Sequence, residues 1–354
     1  MTESLGTQFP SLRLTLFTYP SLHQRILSIP RLKLLIKLSI AALRFDRRRY
    51  RDLKIGGHPA VTRSLLNGLE KIGYPFNLNP RSIESVAQNV LVLSSITSLK
   101  EAIKLKEQGL IKQLWAGPNL VVLPTDKQAI LSHPAIDKII VPSSWVRDKY
   151  SKFSPQISSK LEVWPAGVDP CFWHPSFRSF CNLQGKEIQS AFNVLHYIKL
   201  SDPYSDASSL LPKATSALQR LGLNQQVLFY GRHHPNEYRK QLSSCNLLIY
   251  WTDRPESQGL ALLEAWAMDV PTYVYEVNTA YFSNVAIVSS SCPLLTPECG
   301  CFFSSESSLL AAIKHMLHSP EPCYSPRRWV QSNMTDPLCA QRLLDILTLT
   351  KVTK

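Results

Sequence analysis

The sequence predicts an α/β protein made of two doubly wound domains, each with a mostly parallel sheet, and three observations carry that prediction. Short apolar runs alternate with helix-period segments along most of the chain. A stretch bearing Pro, Gly and Ser from Val168 to Ser190 interrupts the alternation, which then starts again. Of the 354 residues 44% are hydrophobic and 18% charged, a globular composition with enough apolar material for two cores without disulfides.

The elements follow in chain order. Leu12 to Tyr19 is rich in strand formers. Val61 to Ile72 carries Val61, Leu65, Leu66 and Leu69 at helical spacing and is closed by Gly73. Asn89 to Leu93 reads as a buried strand, and Leu99 to Leu110 as a helix ended by Gly109. Further buried strands are expected at Leu120 to Leu123 and Lys138 to Val141, with a short helix, Asp126 to Ser132, between them. After the break, strands are expected at Ala191 to Ile198, Gln226 to Tyr230, Leu247 to Tyr250 and Thr272 to Tyr275. Helices alternate with them at Ala207 to Leu221, Glu237 to Ser244 and Gly259 to Met268, and Leu309 to Leu317 and Pro337 to Leu349 close the chain. The domains expected are 1–175, 190–335 and a terminal helix over 336–354.

A net charge of +13 suits nucleic acid, an anionic membrane or phosphate-bearing small molecules. No nucleic-acid-binding motif is present, which makes nucleic acid the least favoured partner. Between Arg25 and Arg51, Leu32, Leu35, Ile36, Ile40 and Leu43 form one helical stripe, and Arg31, Lys33, Lys37, Arg44 and Arg47 to Arg49 supply charge. That pattern suits a helix lying on an anionic membrane, or an amphipathic helix packed on its own domain with a basic edge. No stretch of about 18 uncharged apolar residues occurs, so no membrane span is expected. The eight cysteines contain no Cys-x-x-Cys pair and read as free thiols in a reducing compartment. With no secretory signal evident, the expectation is a cytoplasmic protein, peripheral on the inner face of a membrane. No Asp-x-Asp sequence occurs and no bound metal or cofactor is expected; His233 and His234, adjacent in a polar loop, are expected to face water.

The segment that carries chemistry is Leu247 to Tyr275, which reads strand, loop, helix, strand. Glu256 lies in the loop, Gly259 where the helix begins, and Glu264 about two turns on. A helix N-terminus offers unpaired N–H groups to a phosphate, and a glycine there lets a ligand approach the backbone. One carboxylate before the helix suits sugar hydroxyls and a second, eight residues later, a ribose diol.

E-S-Q-G-L-x-x-x-E-A resembles the E-x7-E motif of the retaining glycosyltransferases of the large family 4 type, whose common form is E-x-F-G-L-x-x-x-E-A-x-A-x-G-x-P. Glu256, Gly259, Leu260, Glu264, Ala265, Ala267 and Pro271 match; Gln258 stands where an aromatic is usual and Asp269 where a glycine is usual. Val141-Pro142-Ser143, then Trp164-Pro165-Ala166-Gly167-Val168-Asp169, Phe172 and Pro175 resemble the passage that ends the first domain in that family. Gly56-Gly57-His58 resembles its glycine-rich first loop. The resemblance spans roughly Ile55 to Asp345. It implies the GT-B architecture, two Rossmann-like domains facing across a cleft, the first on the acceptor side and the terminal helix returning to it. It implies transfer of a sugar from a nucleotide-diphosphate sugar to an acceptor hydroxyl. The catalytic set would be Glu256, Lys199 and His58, and the donor-binding set Gly56, Gly57, Arg232, Ser257, Gln258, Gly259, Leu260 and Glu264. Lys199 stands near the family's basic position after the first strand of the second domain; the Lys usual a few residues on is missing, and Asp202 to Asp206 is acidic there. A lipid-linked or cell-envelope acceptor fits the basic segment. Three other readings are a sugar-nucleotide epimerase on the same fold, a basic nucleic-acid-binding module, and a degenerate transferase with little activity.

Overall fold

The computed structural model describes residues 14–18, 57–80, 82–120, 122–175, 192–319 and 323–348. The basic segment from Arg25 to Arg51 and Gly56 lie outside them. Both expected sheets form, and every pairing in them is parallel. The described residues divide into two compact units. The first takes 14–18, Leu69–Val141 and Tyr150–Val163; the second takes 57–68, Pro142–Lys149 and 164–348.

The first unit is built on six strands: β1 (Leu14–Phe17), β2 (Phe76–Leu78), β3 (Asn89–Val92), β4 (Gln113–Ala116), β5 (Lys138–Val141) and β6 (Leu161–Val163), in the order β2-β1-β3-β4-β5-β6. β1 and β3 are buried at every residue, as parallel strands with both faces covered must be. No strand forms among the described residues of Leu120 to Leu123. Both edges of β3 are taken, by β1 and by Gln113 to Ala116, and β5 takes the other edge of β4, so the later apolar run finds no place in the interior of the sheet, whose open edges are those of β2 and β6. Asp126 to Ser132 is not a plain helix either: Lys127, Gln128 and Ala129 have φ of 52°, 61° and 53°, and only Ile130–Ser132 makes a right-handed, tight turn.

The second unit holds β7 (Asn193–Lys199), β8 (Asn224–Phe229), β9 (Leu247–Thr252), β10 (Thr272–Tyr275) and β13 (Gly300–Phe303) in the order β13-β10-β9-β7-β8. A separate antiparallel hairpin, β11 (Thr279–Phe282) and β12 (Val285–Val288), follows β10. Val194, Leu247, Ile249, Trp251, Tyr273 and Phe303 pack on Leu218, Leu309 and Ile313. Those last three come from the helices Asp206–Arg220 and Glu306–His318, each capped by a serine side chain, Ser205 or Ser305, that accepts from the N–H three residues on.

Two helices distant in sequence also meet in this unit. Gly57–Lys71, here α1, has all but its last three residues in it. A Cβ at Gly68 would fall 2.3 Å from the Asp336 carbonyl oxygen, so only glycine lets α1 approach the terminal helix Asp336–Thr348 so closely. Asp336 accepts there from Ser64 Oγ at 2.8 Å and Asn67 Nδ2 at 2.5 Å. The Trp164 to Asp169 passage joins the same helix. Trp164 Nε1 donates to the Cys339 carbonyl at 2.7 Å, and the Val168 carbonyl accepts from Asp336 N at 3.1 Å.

Candidate functional site

β9, whose six residues are all buried, delivers the chain to the loop that holds Glu256. Gly259 closes that loop with φ 83° and ψ 54°, a left-handed conformation that strains any residue with a Cβ. Its carbonyl then accepts from Leu262 N and Leu263 N at 3.0 and 3.3 Å, which starts the helix Leu260–Ala267, here α2. Leu262, Leu263, Ala265, Trp266 and Ala267 are buried, so the helix is anchored by apolar packing with its N-terminal turn at the loop. It stops at Asp269, with φ 61°; Asp269 N reaches the Trp266 carbonyl at 2.9 Å and Val270 N the Ala265 carbonyl at 3.0 Å. The aspartate thus makes the left-handed turn for which glycine is usual. Its carboxylate accepts from Arg327 N at 3.2 Å.

Glu256 is 8% exposed. Its Oε1 accepts from Lys199 Nζ at 2.5 Å and from the Tyr250 hydroxyl at 2.8 Å. Parallel pairing of β7 with β9 sets Lys199 opposite Thr252 and Tyr197 opposite Tyr250, so strand register brings cation and phenol to the loop. The Lys199 ammonium also lies over the Tyr230 ring, 4.5 Å from its centroid. Below it, Tyr197 stacks on Tyr250 with centroids 5.3 Å apart and planes 10° from parallel. Burial first, and then Glu264, Tyr230 and Glu256, hold the Tyr197 phenol well above the usual range. One phenol therefore senses both motif carboxylates.

Glu264 is half-buried in α2. Burial pushes its pKa up to about 8, against the opposing pull of the Arg63 guanidinium on α1. Arg63 was not among the residues expected at the site; it follows His58 by five positions on the helix that begins at Gly57. His58 lies in the first turn of α1, where burial lowers its pKa. A Cβ at Gly57 would meet open space.

The other expected residues divide. Ser257 is exposed and Leu260 half-buried at the start of α2. Gln258 is 4% exposed, and its amide pairs both ways with one residue: Oε1 accepts from Ala166 N at 3.0 Å and Nε2 donates to the Ala166 carbonyl at 2.6 Å. That side chain fastens the loop to the Trp164 to Asp169 passage. Arg232, exposed after β8, lies over the Phe229 ring at 5.3 Å. His233 does not face water. It is half-buried, its Nε2 lies 3.1 Å from the Tyr197 hydroxyl and its ring packs edge-on to Tyr197. Adjacent His234 is the exposed one and caps Pro235–Ser243 by accepting from Asn236 N at 3.2 Å. Among the described residues no three His, Cys, Asp or Glu side chains gather as a metal site, and no helix is long and apolar enough to cross a membrane. Tyr197, Tyr250 and Trp145, whose Nε1 donates to the Glu256 carbonyl, carried no sequence signal beyond lying in apolar or helical runs.

No protein-family model and no curated protein sequence matches the chain. Solved structures do match over nearly its whole length. Anabaena HepE in complex with UDP and glucose is similar at a TM-score of 0.53 and 14% identity, with 95% of this chain and 100% of that one covered. Sucrose-phosphate synthase from Thermosynechococcus elongatus is similar at 0.55 and 13%, covering 96% and 100%. The apo lipopolysaccharide outer core galactosyltransferase WaaB is similar at 0.56 and 10%, covering 96% and 100%. The chain has the fold of these proteins, with two Rossmann-like domains of the GT-B type.

Proposed function

We propose that this chain is a glycosyltransferase that moves a sugar from a nucleotide-diphosphate sugar to an acceptor hydroxyl with retention of anomeric configuration. The observation that carries the reading is the grouping of Glu256, Lys199 and Tyr250 at the mouth of a strand–loop–helix turn, with Glu264 two turns along the helix. The fold shared with HepE, crystallised with UDP and glucose, supports it. In this reading the sugar lies against Glu256, whose Oε1 is held by Lys199 and Tyr250. The diphosphate lies at the N-terminal turn of α2, where N–H groups and the helix dipole favour negative charge. Lys199 adds the cation, with Gly57 and His58 at the start of α1 and Gly56 next to them in sequence. Glu264 takes the ribose diol, and Ser257, Leu260 and Arg232 line the donor. Charge building on the leaving diphosphate is then met by preorganised dipoles and a lysine, which is the larger part of catalysis in group transfer of this kind.

This chemistry calls for no metal. Transfer from an α-linked nucleotide sugar, followed by NMR in excess EDTA, is expected to proceed at the untreated rate and to give an α-linked product. Complete loss that Mg²⁺ or Mn²⁺ restores, or a β-linked product, overturns that part of the reading.

The acceptor proposed is a lipid-linked or cell-envelope glycan met at the cytoplasmic face of a membrane. Its support is the stripe of Leu32, Leu35, Ile36, Ile40 and Leu43 among the cations of Arg25 to Arg51; each cation near an anionic bilayer contributes about 1 kcal/mol. Sedimentation with anionic liposomes is expected to carry the protein down at low salt and to fail when Arg47, Arg48 and Arg49 are all replaced by Ser. Protein left in the supernatant at low salt contradicts the membrane role.

A further inference from the structure

The backbone of Glu256 is gripped on both flanks by groups outside its own motif. Its N–H donates to the Ser290 carbonyl at 2.9 Å, and its carbonyl accepts from Trp145 Nε1 at 2.8 Å. Two residues on, Gln258 pairs both ways with the Ala166 peptide. The two anchors are themselves joined. Lys149, one helical turn after Trp145, lies 5.6 Å from the centroid of the Trp145 ring and 4.0 Å from that of Phe282. Phe282 belongs to the β11–β12 hairpin, which runs directly into Ser289 and Ser290. The far end of that segment is held where Ser291 Oγ donates to the Tyr275 carbonyl at 2.7 Å. Trp145, Lys149, Phe282, Ser290 and Glu256 thus close a ring of contacts around the loop.

A carboxylate that meets a sugar must be held to within a fraction of an ångström of its working position. Lys199 and Tyr250 fix only one oxygen of Glu256; the direction of its Cα–Cβ bond is set by the two peptide planes that flank its Cα. We infer that Trp145 is a positioning residue for Glu256, assisted by Lys149 and Gln258, and that its indole N–H fixes the peptide plane that follows Glu256 and with it the direction in which the carboxylate projects. This rests on the reading of Glu256 as the group that meets the donor sugar. Gln258 thereby has a reason to stand where an aromatic is usual: a phenyl ring cannot make the paired bonds to Ala166.

The test uses the full-length protein carrying Trp145→Phe, which keeps a ring for packing and loses only the N–H. Amide hydrogen exchange over 253–259 is expected to quicken by about tenfold, the weight of one hydrogen bond, while exchange over Leu247–Thr252 stays at the wild-type rate. With UDP-glucose as the probe, kcat for release of UDP is expected to fall about tenfold while the Kd for UDP changes less than twofold. Lys149→Met, which removes the tie but leaves the indole, is expected to show the same pattern at smaller amplitude. Unchanged exchange over 253–259 in Trp145→Phe overturns the inference. So does a Kd for UDP that rises as far as kcat falls, since that describes a general loosening of the donor site. The exchange arm decides the matter whether or not UDP-glucose is a substrate. Retention of wild-type turnover by Glu256→Gln instead removes the functional reading and leaves the clasp as structure alone.

Discussion

Glu256→Gln is expected to lower sugar transfer by about 10³-fold, the scale seen when a preorganised electrostatic group is removed from an active site. Glutamine keeps the size of the side chain, and its carbonyl oxygen can still accept from Tyr250. What it removes is the charge that Lys199 Nζ meets at 2.5 Å. The Lys199 ammonium is then released from its partner, and the sugar loses an anionic acceptor. The Glu256 peptide stays fixed by Trp145 and Ser290, so the nucleotide half of the site is expected to persist, with UDP affinity within a few-fold of wild type. Turnover and UDP titration on the same preparation check this. Transfer within tenfold of wild type would remove Glu256 from the chemistry.

Glu264→Ala is expected to act on the other half of the donor, weakening UDP by about 100-fold, the weight of two ribose hydroxyls bonded to a charged acceptor. The pH dependence gives a sharper signature. Burial raises the Glu264 pKa to about 8, so the unliganded protein carries a mostly neutral Glu264 at pH 7. A carboxylate is the better acceptor for two hydroxyls, so UDP affinity in the wild type is expected to rise from pH 6 to pH 8 and level off above. In Glu264→Gln that rise is expected to disappear, leaving only the titration of UDP itself. Stability runs the other way. A carboxyl whose folded pKa is raised binds more protons folded than unfolded, so its contribution is fullest below the ordinary carboxyl range and is lost as pH rises through about 8. Unfolding at several pH values should show that loss in the wild type and not in Glu264→Gln. UDP affinity unchanged in Glu264→Ala would cancel the ribose assignment.

Much of the architecture was legible because a parallel sheet buries whole strands. Leu247 to Tyr250 and Asn89 to Leu93 announce themselves as apolar runs, and their strands formed within a residue or two of the expected ends. The same signal misled at Leu120 to Leu123, where Leu120 is buried beside the sheet without joining it. The β11–β12 hairpin escaped notice since its turn uses Ser283 and Asn284, with φ of 49° and 64°, in place of a glycine pair. In the candidate site, Glu256, Gly259 and Glu264 were readable since one loop and one helix set their spacing. Asp269 was visible as a departure from glycine, and it makes the left-handed turn all the same, since aspartate tolerates φ above zero better than most residues. Tyr250, Tyr197, Trp145 and Arg63 were not readable, because strand register and contacts between residues over a hundred positions apart bring them in. Gln258 was visible as a departure, yet its pairing with Ala166, 92 residues away, has no trace in local sequence.

Binding of a nucleotide diphosphate at the start of α2 is decided by ligand-induced stabilisation. Thermal unfolding of the full-length protein with UDP, GDP, ADP and dTDP, each with and without its glucose conjugate, is the measurement. At about 100 times its Kd a ligand adds about 2.7 kcal/mol, which in a protein of this size raises Tm by several degrees. Such a rise is expected with one base, and its loss in Glu264→Ala. No rise with any of the eight ligands at millimolar concentration, or an equal rise in Glu264→Ala, contradicts that binding.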